Sequence, residues 1–201
     1  SATIAFNKDD PKYVYTTYFA SMLGEWNRDT RQYRNVRPYP ERVTGEQPKN
    51  LKYRGNWNGP VIVSPHNPDQ IYYGSQYLMG SEDRGVTWEV LSEDLTRNDK
   101  DHQGKGGYPI SNEQITAESY NNLFVIAESS LKEGLIWTGS DDGLVHVTRD
   151  GGESWKNVTP KGLAEGIINV IDVSPHDPGT AYFARAGYKM NDFSPSIWKT
   201  E

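Results

Sequence analysis

A motif that returns four times constrains this chain more than its composition does. VIVSPHNPDQIYYG at 61–74 and VIDVSPHDPGTAYFA at 170–184 share SPHxP. VIAESSLKEGLIWTG at 125–139 keeps the apolar pattern, and IAFNKDDPKYVYTT at 4–17 keeps a proline followed by a Tyr-rich β run. Aligned on Asn7, Ser64, Ser129 and Ser174, the copies are spaced by 57, 65 and 45 residues. Each copy reads as strand, Pro-rich turn, strand. A unit of this kind buries its apolar faces only against its neighbours, so the chain must be a repeat array.

A second motif follows each start: SEDRGVTW at 81–88, TRDGGESW at 148–155, and a degraded form, NRDTRQY, at 27–33. From anchor to closing aromatic the distances are 26, 24 and 26 residues, whereas from that aromatic to the next anchor they are 31, 41 and 19. The body of the unit is constant, and the length variation lies in the connections between units. No segment sustains a helical period; LVHVT and IWKTE alternate, and PVIV and LFVIA are short apolar runs, so all read as strands. The expected fold is all-β: a β-propeller segment of about four four-stranded blades, at approximately 3–40, 57–97, 119–160 and 165–201. The last blade is expected to be incomplete, because Thr200 and Glu201 align with the first two letters of another turn motif. The chain opens on TIAFN, which reads as an innermost strand and offers no outer strand to fill that gap. A segment of a longer propeller is therefore expected, with the remaining blades of the parent chain or another copy as partner.

Twenty-one Lys and Arg against twenty-seven Asp and Glu leave a net charge of −6, the wrong sign for non-specific attraction to nucleic acid or anionic membrane. Residues 28–54 form a local exception, with eight basic side chains interleaved with Tyr33, Tyr39 and Tyr53; solvated blade edges commonly carry such charge, and no nucleic-acid partner is expected. The absence of cysteine excludes disulfides, a thiolate zinc site and a cysteine nucleophile. No apolar run approaches the ~18 residues of a membrane span. His66 and His176 occupy equivalent SPHxP turns with no recurring ligand beside them, so neither a metal nor a cofactor is expected.

SxDxGxTW has a structural task in a hairpin: the Asp carboxylate accepts backbone N–H bonds across the turn, glycine takes positive φ, and Trp packs between sheets. Ser81, Asp83, Gly85 and Trp88 form one such set, and Thr148, Asp150, Gly152 and Trp155 the other. These boxes resemble Asp-box repeats, also called bacterial neuraminidase repeats, of sialidases, xyloglucanases and sortilin-type propellers. The stretch GLIWTGSDDGLVHVTRDGGESWKNVTP at 134–160, followed by SPHDPGTAYFA, most resembles large bacterial sortilin-like proteins labelled glycosyl hydrolases, a label that comes from the fold. The resemblance implies a secreted, periplasmic or cell-envelope protein, with the boxes on the face opposite the ligand site.

Connections 37–60 and 97–122 are then expected on the top, ligand-bearing face. The first brings Arg54, Asn56, Trp57 and Asn58, the second His102, Tyr108, Glu113, Glu118 and Tyr120, and shorter turns add Gln76, Tyr77, Asp141, Asp142, Arg185 and Tyr188. Arg54, Trp57, Asn58, Gln76, Tyr77, Tyr120, Arg185 and Tyr188 are candidate ligand contacts: rings stack on sugar faces while Arg and amides bond hydroxyls. Glu113, Glu118, Asp141 and Asp142 are the carboxylates from which an inverting glycosidase would draw its acid and base. The leading expectation is a face that binds a glycan or peptide. The alternatives are a xyloglucanase-like hydrolase, marked by a carboxylate with a raised pKa, and a purely structural assembly unit.

Overall fold

The computed structural model describes residues 3–18, 22–104 and 118–200. Four antiparallel sheets follow one another along the chain, each laid down in sequence order. The first contains β1 (Thr3–Phe6), β2 (Tyr13–Tyr18), β3 (Met22–Asn27) and β4 (Gln32–Asn35). The second contains β5 (Val61–Val63), β6 (Ile71–Gly74), β7 (Leu78–Ser81) and β8 (Glu89–Val90). The third contains β9 (Leu123–Glu128), β10 (Ile136–Ser140), β11 (Val145–Thr148) and β12 (Lys156–Asn157). The fourth has three strands, β13 (Ile167–Val173), β14 (Ala181–Ala186) and β15 (Ser196–Lys199). Helix among the described residues is limited to 3-10 turns at Pro48–Asn50, Lys100–His102 and Tyr188–Met190, and none is long or apolar enough to cross a membrane.

The strands form where both faces can be buried. On β6, Tyr73 packs with Tyr15, Leu23, Val36 and Val61 between sheets one and two, whereas Tyr72 packs with Leu123, Ile126 and Ile136 between sheets two and three. On β10, Ile136 faces back into that second interface and Trp137 faces forward, against Ile168, Ile171 and Phe183 of sheet four. This alternation of neighbours is the two-residue pleat read through space. Each such side chain stabilises its interface by ~1.5–3 kcal/mol. The first strands contact one another in succession, β1 with β5, β5 with β9 and β9 with β13. The sheets thus share one inner edge and diverge outward.

Hydrogen bonds repeat with the sequence. Ser64, Ser129 and Ser174 donate their N–H groups to Gln70, Leu135 and Thr180 O at 2.9 Å each, and their hydroxyls accept from the backbone two residues on at 3.2 Å each. In the outer turns, Asp83 Oδ1 accepts from Ser81 Oγ (2.8 Å), Val86 N (3.0 Å) and Thr87 N (2.8 Å). Asp150 Oδ1 likewise accepts from Thr148 Oγ1 (2.7 Å) and Ser154 N (3.0 Å). Gly85 and Gly152 take φ of 82° and 111°, the left-handed range that glycine enters freely. The turn at 27–33 is built differently: Asn27 Oδ1 accepts from Asp29 N and Thr30 N, and Tyr33 lies half-exposed across Gly24.

The turn tryptophans reach back to the preceding sheet. Trp88 Nε1 donates to Val36 O at 2.9 Å and Trp155 Nε1 to Leu91 O at 2.8 Å. Val36 and Leu91 are each the first residue beyond an outermost strand, β4 and β8, so the same carbonyl is used twice. Trp155→Phe keeps an aromatic ring but trims the indole and strands that carbonyl; the expected cost is at least ~1 kcal/mol, read as a lowered urea midpoint. A change no larger than that of exposed Lys156→Ala would show that the bond contributes nothing.

Hydrogen bonds also set a pH dependence. Those from Ser154 first, and from Thr148, hold Asp150 down from 3.8 to about 2, and those from Thr87 do the same for Asp83. Their stabilisation is therefore complete above the ordinary carboxyl pKa and is lost as pH falls through about 2. The gap in melting temperature between the native chain and Asp150→Asn should shrink over that interval; a gap independent of pH would overturn the assignment.

Candidate functional site

Strand order puts every turn between second and third strands, and every connection between sheets, at one end of the array. The boxed turns and SPHxP turns lie at the other. At the connection-bearing end, residues 50–60, 94–104, 118–122, 140–145 and 185–192 are joined by polar side chains.

Arg54 is the hub of one group. Only 3% exposed, it donates from Nη2 to Asp94 Oδ2 at 2.7 Å, from Nε to Asn121 O at 2.9 Å and from Nη1 to Asn98 Oδ1 at 3.2 Å. Gln76 receives Arg54 N–H at 2.8 Å and donates to Lys52 O at 2.9 Å. Gln103, fully buried, donates to Asn98 Oδ1 and Asn121 Oδ1. Asn121 in turn donates to Asp142 Oδ2 at 2.6 Å. Asp142 also accepts from Ser140 Oγ at 2.5 Å and Arg97 N at 2.8 Å. Burial raises the pKa of Asp142, and these hydrogen bonds oppose the rise.

Asp141 is placed differently. Its Oδ1 accepts from Asn122 N at 2.9 Å, but its Oδ2, in a residue 2% exposed, has no partner. Two more buried oxygens nearby, Asn122 Oδ1 and Ser119 Oγ, are also unpartnered; Asn122 Nδ2 meanwhile donates to Ser119 O at 2.7 Å. Burial, and then the neighbouring Asp142, push Asp141 well above the usual carboxylate range. Gly143, φ 92°, completes the turn where a side chain would press on Ala164 O and Gly166.

A second group lies toward sheet four. The Tyr120 hydroxyl donates to the Glu165 carboxylate, and burial first, then that bond, raise the phenol's pKa. Arg185 donates to Glu165 O and, at 2.6 Å, to Asp192 Oδ2. The His102 ring lies 5.7 Å from that of Tyr120. Asn56 Nδ2 reaches Ser119 O at 3.1 Å from one side, and Lys189 Nζ reaches Glu118 Oε2 at 3.5 Å from the other. Segment 118–119 is therefore held between the loop carrying Trp57, 40% exposed, and the 3-10 turn carrying Tyr188, 55% exposed.

Of the residues singled out from the sequence, Arg54, Gln76 and Asp142 enter the first group, Tyr120 and Arg185 the second, and Asp141 is bonded only to Asn122. Trp57, exposed Asn58, Tyr188 and Glu118 lie beside these groups. Tyr77 turns aside, its ring edge-on to Tyr53, which is edge-on to Tyr39 beneath Lys52. Glu113 and Tyr108 lie outside the described residues. Asn98, Asn121, Asn122, Ser119, Gln103 and Glu165 were not singled out. Asn98 and Asn121 adopt positive φ, which Asn tolerates, and only that local signal was available.

No protein-family model matches the chain. A curated relative, the oligoxyloglucan-reducing end-specific xyloglucanase of Emericella nidulans, is 28% identical over 134 residues, 61% of this chain and 14% of the relative. The GH74 xyloglucanase of Xanthomonas campestris superposes with a TM-score of 0.62 at 18% identity, over 98% of this chain and 29% of its own. The GH74 enzyme of Niastella koreensis gives 0.58 at 14%, over 98% and 28%. YCF48 bound to a D1 peptide gives 0.51 at 15%, over 92% and 48%. The structural likenesses show the fold, a β-propeller segment whose last blade is incomplete. The chain spans about one seventh of the curated relative and under a third of either GH74 structure.

Asp141→Asn keeps the shape and the bond from Asn122 N while removing the titrating proton. Because folding raises this pKa, the native chain loses stability as pH climbs above the ordinary value of 3.8, where only the unfolded chain has ionised. The variant's melting temperature should gain on the native chain's from there toward neutrality. Parallel profiles would show that the carboxyl ionises normally.

Proposed function

We propose that the chain is a segment of a larger, sortilin-like Asp-box β-propeller protein of the cell envelope or exterior, and that its connection-bearing face binds a glycan. The observation that carries this reading is the pair of partly exposed rings, Trp57 and Tyr188, carried by the two elements that bond to segment 118–119 from either side. Apolar ring faces among polar loop side chains suit a sugar, which offers C–H faces and hydroxyl groups together. The xyloglucanase relatives support the same ligand class. The segment reading is supported by coverage, since nearly the whole chain superposes on under a third of either GH74 structure.

Asp141 favours hydrolysis as a second reading. A carboxyl held neutral by burial can give its proton to a glycosidic oxygen, the part of general acid in an inverting pair. Calorimetric titration of xyloglucan oligosaccharides into the chain tests the first reading. Trp57→Ala and Tyr188→Ala should each weaken binding by roughly three- to tenfold; no binding, or binding indifferent to both changes, would sink it. Release of new reducing ends that Asp141→Asn abolishes, with binding retained, would establish the second.

A further inference from the structure

The two boxed turns close two successive sheet interfaces, and the outer halves of those interfaces differ. Between sheets one and two the space is filled with guanidinium groups. Arg84, the first left-handed residue of its turn (φ 58°), lies 4.1 Å over the Tyr13 ring, with Nε 3.7 Å from Asp69 Oδ1. Arg34 of β4 donates to Arg84 O at 2.7 Å and pairs with buried Glu25 at 3.0 Å.

Between sheets two and three the same positions carry other residues. Arg84 N donates to Asp69 O and Gly151 N to Gly134 O, so Gly151 replaces Arg84 and Gly134 replaces Asp69. In register, Arg34 sits opposite Glu25 and Glu89 opposite Gly80, so Glu89 replaces Arg34 and Gly80 replaces Glu25. Both guanidinium groups are gone, and nothing stands within 4 Å of where a Gly151 side chain would begin. A groove of about 610 Å³ results, lined by Tyr72, Trp88 and Gly151 and by Glu82, Glu89, Glu133 and Glu153. Its lining contains no Lys or Arg, and none of these four carboxylates has an ion pair among the described residues.

We propose that this groove docks an arginine side chain of a basic peptide, a partner supplying from outside the guanidinium that Arg84 supplies from within one interface earlier. Planar and always charged, a guanidinium can lie against an aromatic edge of the lining and share its N–H fork among carboxylates contributed by both sheets. An ammonium has one point of charge and no face to stack. The groove opens on the outer flank between the sheets, away from the connection-bearing end, so this inference is independent of glycan binding.

The test is NMR titration of the chain with acetyl-Gly-Arg-Gly-Arg-Gly-amide and with its lysine counterpart at low salt. Saturable shifts confined to Gly134, Gly151 and their neighbours are expected with the arginine peptide, with the lysine peptide weaker. Glu89→Gln with Glu153→Gln, both on the surface, should weaken binding by roughly three- to tenfold. Gly151→Arg places a guanidinium in the groove from within, at a backbone position Arg84 already occupies one unit earlier. It should raise the melting temperature and abolish peptide binding, whereas Trp57→Ala should leave binding unchanged. Equal response to both peptides, or peptide affinity untouched by Gly151→Arg and by the double Gln variant, would reduce the groove to non-specific acidity and overturn the proposal. Self-association that Gly151→Arg abolishes would overturn it in favour of a second copy of this chain.

Discussion

Each inner sheet of this array has two apolar faces and no way to hide either by itself. Adjacent residues of one strand, Tyr72 and Tyr73, belong to different cores, and so do Ile136 and Trp137. A sheet of this kind is stable only when flanked, and the flanking sheet carries the same requirement forward. The polar cluster at the connection-bearing end depends on it. Arg54 and Asn121 come from different connections and Asp142 from the turn between β10 and β11, and they meet because the sheets beneath them are held at fixed spacing by apolar contact.

The polar cluster carries an opposing cost. Burying a carboxylate is unfavourable unless its oxygens are matched. Asp142 is matched by Ser140, Asn121 and Arg97, while Asp141 keeps one oxygen idle. Two adjacent carboxyl groups thus have different chemistry, set by which residues of one connection each meets: Asn121 and Arg97 for Asp142, Asn122 for Asp141. Trp57 and Tyr188 keep part of their ring surface in solvent at the same end of the array. Idle buried oxygen and exposed aromatic surface on one face mark a part of the molecule whose design is not explained by stability.

What was legible in the sequence was the part that interacts with itself over short distances. The serine anchors and the boxed turns bond within a few residues, so their letters carry their geometry, and the strands between them follow from alternation. The hub role of Arg54 was not legible. The partners of its guanidinium lie 40 to 67 residues away, and nothing in the local string distinguishes a buried arginine from a ligand-binding one. Asp141 and Asp142 were visible as a pair, but the difference between them comes from Asn121 and Asn122, residues whose spacing suggests nothing by itself. The exchange of Arg84 for Gly151 was in plain view. Its meaning required knowing that both positions face the preceding sheet.

The back-reaching indole gives the chain a direction. The carbonyl of Val36 waits for an N–H that lies 52 residues further on, and that of Leu91 for one 64 residues on. On a ribosome, the outer edge of each sheet therefore stays open until the next unit has emerged and turned, and closure trails synthesis by one full repeat. A nascent chain of this design carries an unfinished interface at its growing end. There the last-made sheet shows its forward face to chaperones and proteases, while each earlier sheet has had that face sealed by its successor.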